Sequence, residues 1–476
     1  MKKLIAFILA AVLLFCCTIG TSAAEEKTVP IVVVRGLDFN GLILDQGTKN
    51  ERPALSINVP KLIFGIVKTL TLSIFGGTEG FVDGVIDVAG DILSPLACDK
   101  NGNTVQNVSV KEYDKNMASY PEKIESSQNQ DSEAGVVAEA CERYGAENVY
   151  YVTYDWRLDP YKTADKINAR VNLALKESGC NKVKLICCSM GGVMTQAYFD
   201  KYGYEKIESC MFLSTAIYGA YSASDPLSGK VSFDKSTLNN FLNGALSDLS
   251  WLWSALDSSG VTDGLIAFAN NLADNYKDKI YDELLMDTFA CMPGIWAMHI
   301  TEDFDSAKQF IFGGKEEQYA GLIKKIDKYQ EYCLKRDSFL KQMQADGVEI
   351  MLVCSYNKPV VPVYEHSYCN GDQVLETELM SAGATVAPYG KTLGNDYVAA
   401  NPEKLSPDRV IDASTCLFPD NTWFIKNATH VCCRHGSELA EMIFWLMDYE
   451  GQPTVSTNML YPQFQLCDDA QNLFIF

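Results

Sequence analysis

The stretch KLICCSMGGVMTQAYF, residues 184–199, constrains the fold more than any other part of the chain. Apolar residues from Val183 to Ile186 run into a tight Cys-Cys-Ser-Met-Gly-Gly, and a helix-like segment follows from Val193. A buried strand, a sharp turn and a helix in that order belong to a parallel sheet covered on both faces. A serine stands at the apex. A turn that aims a nucleophile out of such a sheet crowds the side chains two positions before and two after it, so both must be small. Centred on Ser189 the flanks are Cys187 and Gly191; centred on Cys188 they are Ile186 and Met190; centred on Cys187 one flank is Leu185. Only Ser189 fits, with Cys187 standing where glycine is usual.

The rest of the chain repeats the buried-strand pattern. Apolar runs occur at 28–34 (TVPIVVV), 148–153 (NVYYVT), 182–187, 207–214 (IESCMFLS), 348–355 (VEIMLVCS) and 421–426 (NTWFIK). Residues 164–178 have the spacing of an amphipathic helix, and 438–449 read as a closing helix. The expected architecture is α/β: an α/β-hydrolase fold whose mostly parallel sheet is covered by helices on both faces. A helical, aromatic-rich cap at 217–346 is inserted after the strand that follows the nucleophile helix, and carries Trp251, Trp253, Phe268, Phe289, Trp296 and Phe304. The core is then split into 25–216, with a smaller insertion at 51–119, and 347–476. A chain of 476 residues suits one large α/β core with insertions.

The first 24 residues read as a signal peptide: Lys2 and Lys3, an apolar core from Leu4 to Phe15, then the small residues Thr21-Ser22-Ala23-Ala24. This implies a secreted protein, with cell-surface retention as the alternative. Leu14 and Phe15 are too bulky to precede a lipidated Cys16 or Cys17. The net charge of −21 argues against nucleic acid as a partner and against non-specific attraction to anionic membranes. A substrate held in a membrane or micelle must therefore be met through apolar surface. Of the sixteen cysteines, the fourteen beyond the signal peptide permit disulfides in an exported chain, with a pairing that is not readable; a reducing habitat would leave many of them as small buried apolar residues.

A serine nucleophile needs a base, and the base an orienting acid, in this fold in the order Ser, acid, His. The four histidines are His299, His366, His430 and His435. His299 lies in the cap, and His366 precedes any acid placed after the fifth strand. His430, in KNATHVCCRH, sits on the loop before the closing helix and is preferred to His435, whose neighbours Gly436-Ser437-Glu438 look like a helix start. Asp372, in NGDQVL, is the candidate acid, with Asp412 of VIDAS as the runner-up. The oxyanion donors are expected from the backbone amides of Leu37, after the first strand, and Met190, at the start of the helix. The histidines and cysteines of THVCCRH are packed too tightly along the chain to share one ion; no metal and no cofactor is expected.

Several motifs together resemble the lecithin–cholesterol acyltransferase family, which also holds lysosomal phospholipase and the phospholipid–diacylglycerol acyltransferases. They are VVVRGLDFNGLIL near the start, YDWRLDP at 154–160, SMGG at the turn, the Met-Pro-x-x-Trp segment at 292–296 and GDQVLETELMSAG from Gly371. The resemblance implies a Ser189–Asp372–His430 triad, Leu37 and Met190 as oxyanion donors, and a lipid ester such as a phospholipid or acylglycerol as substrate. Trp156 is a candidate for the substrate site, whereas Tyr154 reads as packing. The sequence departs from the family at Arg35, where proline is usual, at Cys187, and at Leu375 and Glu376, where valine–proline is usual. The expected activity is acyl hydrolysis or acyl transfer. The other readings are an esterase or peptidase on small substrates, or an inactive hydrolase fold used for binding.

Overall fold

The computed structural model describes residues 27–55, 79–245 and 261–476, apart from positions 81, 85, 129, 131, 287 and 432. The expected signal peptide, the apolar segment 62–76 and cap residues 246–260, with Trp251 and Trp253, lie outside the described residues.

Eight strands form the central sheet: β1 (Ile31–Val34), β2 (Val149–Val152), β3 (Val183–Cys188), β4 (Ile207–Leu213), β5 (Glu349–Tyr356), β6 (Thr422–Lys426), β7 (Phe464–Cys467) and β8 (Leu473–Ile475). Their order is β8-β7-β6-β5-β4-β3-β1-β2, parallel throughout except for the antiparallel β7–β8 pair. The run IVVV of β1 is wholly buried because it lies inside a sheet with both faces covered, where β-branched side chains pack well. Alternate residues feed two cores. Val32, Val34, Leu185 and Cys187 face one, with Val171, Val193, Met194 and the cap. Ile31, Val33, Ile186 and Cys188 face the other, with Val136, Val137, Met442 and Phe444.

Those helix residues belong to α1 (Glu133–Tyr144), α2 (Pro160–Ser178), α3 (Gly191–Tyr202) and, beyond the cap, the closing helix Glu438–Asp448. α2 starts at Pro160, ahead of the expected 164, because Asp159 accepts a hydrogen bond from the Tyr161 amide at 3.0 Å and proline suits the first helical position. Ser437 caps the closing helix in the same way, accepting from the Ala440 amide. The described elements between β4 and β5 are helical: α4 (Tyr221–Leu227), then Lys235–Ala245, Val261–Asn275, Phe304–Phe312, Ala320–Cys333 and Arg336–Ala345 among the longer ones. Several aromatic residues here pack inward, whereas Phe310 is exposed. Trp296 is buried and stacks on Phe312 with ring centroids 5.4 Å apart, and Phe304 meets it edge-on.

The strands expected from apolar runs end at 426, and the structure adds β7 and β8. It also adds a three-stranded sheet of Leu42–Leu44, Arg52–Pro53 and Val108–Val110 around the smaller insertion. All the described cysteines but Cys180 are buried. No disulfide joins Cys187 to Cys210, whose Sγ atoms lie 4.0 Å apart. No helix among the described residues is long and apolar enough to cross a membrane.

The register brings the ends of the strands level. Val34 of β1 lies opposite Cys187 of β3, Cys188 opposite Leu213 of β4, and Tyr356 of β5 opposite Lys426 of β6. Leu37, Ser189, Asp372 and His430 therefore follow strands that end along one edge of the sheet, where open α/β sheets bind ligands.

Candidate active site

Ser189 directly follows β3 and lies in the left-handed region, with φ of 52°. Its amide donates to the carbonyl of Leu213 on the neighbouring strand, and its own carbonyl accepts from Gly192 and Ala216. A serine held at positive φ is strained, and the turn is kept by the packing around it. Gly191 is required: a Cβ there would stand 2.5 Å from the Arg35 carbonyl oxygen and 2.6 Å from that of Val34. Gly36 is equally pressed, since its Cβ would lie 2.8 Å from that of Ser189. Cys187 fits in place of glycine by turning its thiol sideways. Its Sγ lies 3.2 Å from the Met211 carbonyl and 4.0 Å from Cys210 Sγ, between β3 and β4. Burial pushes the Cys187 and Cys188 thiols well above their ordinary value, so neither competes with Ser189 as a thiolate.

His430 reaches the serine from the loop after β6. Its Nε2 is 2.8 Å from Ser189 Oγ and its Nδ1 is 2.7 Å from Asp372 Oδ2. Asp372 is fully buried at the tip of a tight turn. Its Oδ1 accepts from the amides of Val374 at 3.0 Å and Leu375 at 2.8 Å, which leaves Oδ2 for the imidazole. Gln373 completes the turn at φ 86°. Three side chains from three distant segments thus form one hydrogen-bonded line.

The rival groups are engaged elsewhere. His435 Nε2 lies 2.6 Å from Glu142 on α1. His299 is buried, its Nδ1 2.7 Å from the Ile300 carbonyl oxygen, and burial lowers its pKa. His366 pairs with Asp225 of α4 at 2.9 Å. Asp412 caps a short helix through the Ser414 amide and accepts from Tyr397 Oη.

The amides of Leu37 and Met190 donate no hydrogen bond among the described residues. Leu37 lies on a turn braced from several sides. The Arg35 amide continues the ladder to Val152 at 3.2 Å, a bond that proline could not make. The Arg35 guanidinium pairs with Asp38 and lies 3.7 Å from Glu133. Tyr154 Oη donates to the Arg35 carbonyl at 3.0 Å, and Trp156 Nε1 to the Asp38 carbonyl at 3.2 Å. Trp156, the substrate-site candidate, is 1% exposed and meets Phe39 edge-on. In this structure its contacts are with the turn that carries Leu37. Gly36 and the Tyr154 hydroxyl are site-supporting groups that lie within the quoted motifs, which do not by themselves signal the support they give. Strand pairing alone reveals the role of Gly36, and a tyrosine beside a buried strand is indistinguishable in sequence from plain packing.

Asp155 and Arg157, the charged pair of the same motif, form a bidentate bond of 2.9 and 2.6 Å, and the guanidinium also donates to the Leu96 carbonyl at 2.9 Å. The Arg157 side chain is wholly buried. Arg157→Met leaves the Asp155 carboxylate without its cation, with only the residue-157 amide still donating to Oδ1 at 3.1 Å, so a stability loss of about 3–5 kcal/mol is expected in urea denaturation.

A mostly parallel sheet with helices on both faces, a strand-to-helix turn after β3 and helical elements between β4 and β5 define an α/β-hydrolase fold. Residues 123–252 match the family model described as lecithin:cholesterol acyltransferase, which supports over this stretch the resemblance read from the motifs. The match spans YDWRLDP and the Ser189 turn; Asp372 and His430 lie beyond it. A search of curated proteins found no match. Among solved structures the chain is similar to one titled "The crystal structure of Tle4-Tli4 complex", at 14% identity and a TM-score of 0.20, over 42% of this chain and 48% of that one. The match therefore spans about half the length of that solved chain.

Proposed function

We propose that the protein is an exported serine acyl hydrolase or O-acyltransferase acting on lipid esters. The observation that carries this reading is the line from Ser189 Oγ through His430 to Asp372, with contacts of 2.8 and 2.7 Å. His430 Nε2 accepts the hydroxyl proton as Ser189 attacks the ester carbonyl. Asp372 holds the ring in the tautomer that leaves Nε2 free to accept and stabilises the imidazolium that forms. The developing oxyanion takes hydrogen bonds from the amides of Leu37 and Met190, which have no other acceptor among the described residues. His430 then returns its proton to the departing alcohol, leaving an acyl group on Ser189. Water or an acceptor alcohol, deprotonated by the same imidazole, releases it.

The lipid part rests on the family match and on the size and apolar content of the cap. Export rests on the leader-like first 24 residues. Incubation with p-nitrophenyl esters of graded chain length tests the substrate class. Turnover is expected to rise from short to long acyl chains, whereas activity confined to the shortest would assign the site to small esters. A fluorophosphonate probe that fails to label the folded protein would make it an inactive hydrolase fold.

A further inference from the structure

Beside the turn that carries Asp372 lies a carboxyl group for which the proposed mechanism has no use. Glu376 is fully buried. It begins the short helix Thr377–Met380, yet its side chain does not cap that helix. Instead its Oε1 accepts from Tyr364 Oη at 2.7 Å and its Oε2 from the amide of Tyr221 at 3.2 Å. Tyr221 opens α4, the first helix of the cap. The joint is reinforced nearby, where His366 pairs with Asp225 of α4 and stacks on Tyr221 with ring centroids 4.0 Å apart. The backbone at Glu376 leads straight back to the acid. Gly371 and Glu376 form an antiparallel bridge, and the Asp372 amide donates to the Leu375 carbonyl at 3.1 Å.

We propose that Glu376 is a positioning residue for Asp372: its carboxyl ties the turn bearing the acid to the first helix of the cap. The proposal rests on the triad reading above.

The tie is sensitive to pH. The groups facing Glu376 are Tyr221 from α4, Tyr364 and Cys369 from the segment before Asp372, and Glu378 from its own helix; Asp225 of α4 lies beyond Tyr364 and Cys369 and is paired with His366. No cation pairs with Glu376 among the described residues, and burial pushes its carboxyl up to about 7. A carboxyl whose folded value is raised holds a proton that the unfolded chain has released. Its neutral, hydrogen-bonded form therefore favours the joint below the ordinary glutamate value, and the advantage is lost as pH rises through about 7. Above that pH a charge stands in a dry site near the Glu378 carboxylate, and the joint loosens.

The experiment is a kcat and KM profile against pH for the full chain, on a p-nitrophenyl ester, for wild type, Glu376→Gln, Tyr364→Phe and Asp372→Asn. In the wild type kcat is expected to fall above about pH 7, with KM unmoved. Glu376→Gln cannot ionise and is expected to lose that fall. Tyr364→Phe removes a donor to the ionised carboxyl and is expected to move the fall to higher pH, which keeps the test open should Glu376→Gln not fold. Superimposable wild-type and Glu376→Gln profiles, or an unmoved Tyr364→Phe profile, overturn the positioning role if Asp372→Asn is inactive. An Asp372→Asn protein as active as wild type overturns the triad reading instead.

Discussion

Ser189→Ala is expected to lower ester turnover by about 10⁴–10⁶-fold while leaving the fold intact. The variant removes the oxygen that sits 2.8 Å from His430 Nε2 and nothing that supports the turn. The strain at φ 52° is borne by the backbone bonds to Leu213, Gly192 and Ala216, and alanine adds no bulk against Gly36. Residual activity reflects the oxyanion amides and substrate binding alone. His430→Ala is expected to cost about as much, and the double variant little more, because the two groups act as one unit. Circular dichroism on the same preparations separates lost chemistry from lost folding. His435→Ala provides the contrast: its imidazole lies on Glu142, and turnover is expected to stay at the wild-type level.

Asp372→Asn should lower kcat by about 10⁴-fold, and the local geometry says why. Oδ1 accepts two backbone amides, from Val374 and Leu375, so the asparagine must keep its carbonyl oxygen there. Its amide nitrogen then faces His430 Nδ1 in place of Oδ2. That nitrogen can only donate, so Nδ1 is forced to accept and the ring proton moves to Nε2. The imidazole then cannot take the proton of Ser189. Asp372→Ala leaves two amides unsatisfied in a fully buried turn and is expected to destabilise the protein as well, by about 1–3 kcal/mol. A variant that lowers kcat without lowering the melting temperature is thus specific to asparagine.

The parts of this fold that are legible in the sequence are those whose signal is local. β1 to β6 are continuous apolar runs bounded by turns, and the Ser189 turn is bounded by a steric rule that a single pentapeptide satisfies. The strands that sequence does not signal are short and without period. Leu473–Ile475 has three residues, and Leu42–Leu44 pairs with only Arg52–Pro53 and Val108–Val110, so no run stands out. α2 begins early because a cap, not apolar spacing, sets its start. The site divides the same way. Ser189, Asp372 and His430 can be nominated from their order along the chain, but their contact depends on which strands neighbour β3. Glu376 shows in the sequence only as a departure from a motif. Its partners Tyr221 and Tyr364 come from separate segments, and only the folded chain brings the three together. Trp156 is open to a substrate contact in sequence because a tryptophan's burial is set by what folds over it, here the turn at Asp38 and Phe39.

The most direct measurement is mass-spectrometric mapping of the protein after reaction with a fluorophosphonate. One adduct per chain, on the peptide carrying Ser189, formed by the wild type and lost in His430→Ala, is the result expected of a serine made nucleophilic by that imidazole. An adduct on another residue, or labelling of Ser189 that is undiminished without His430, would contradict it.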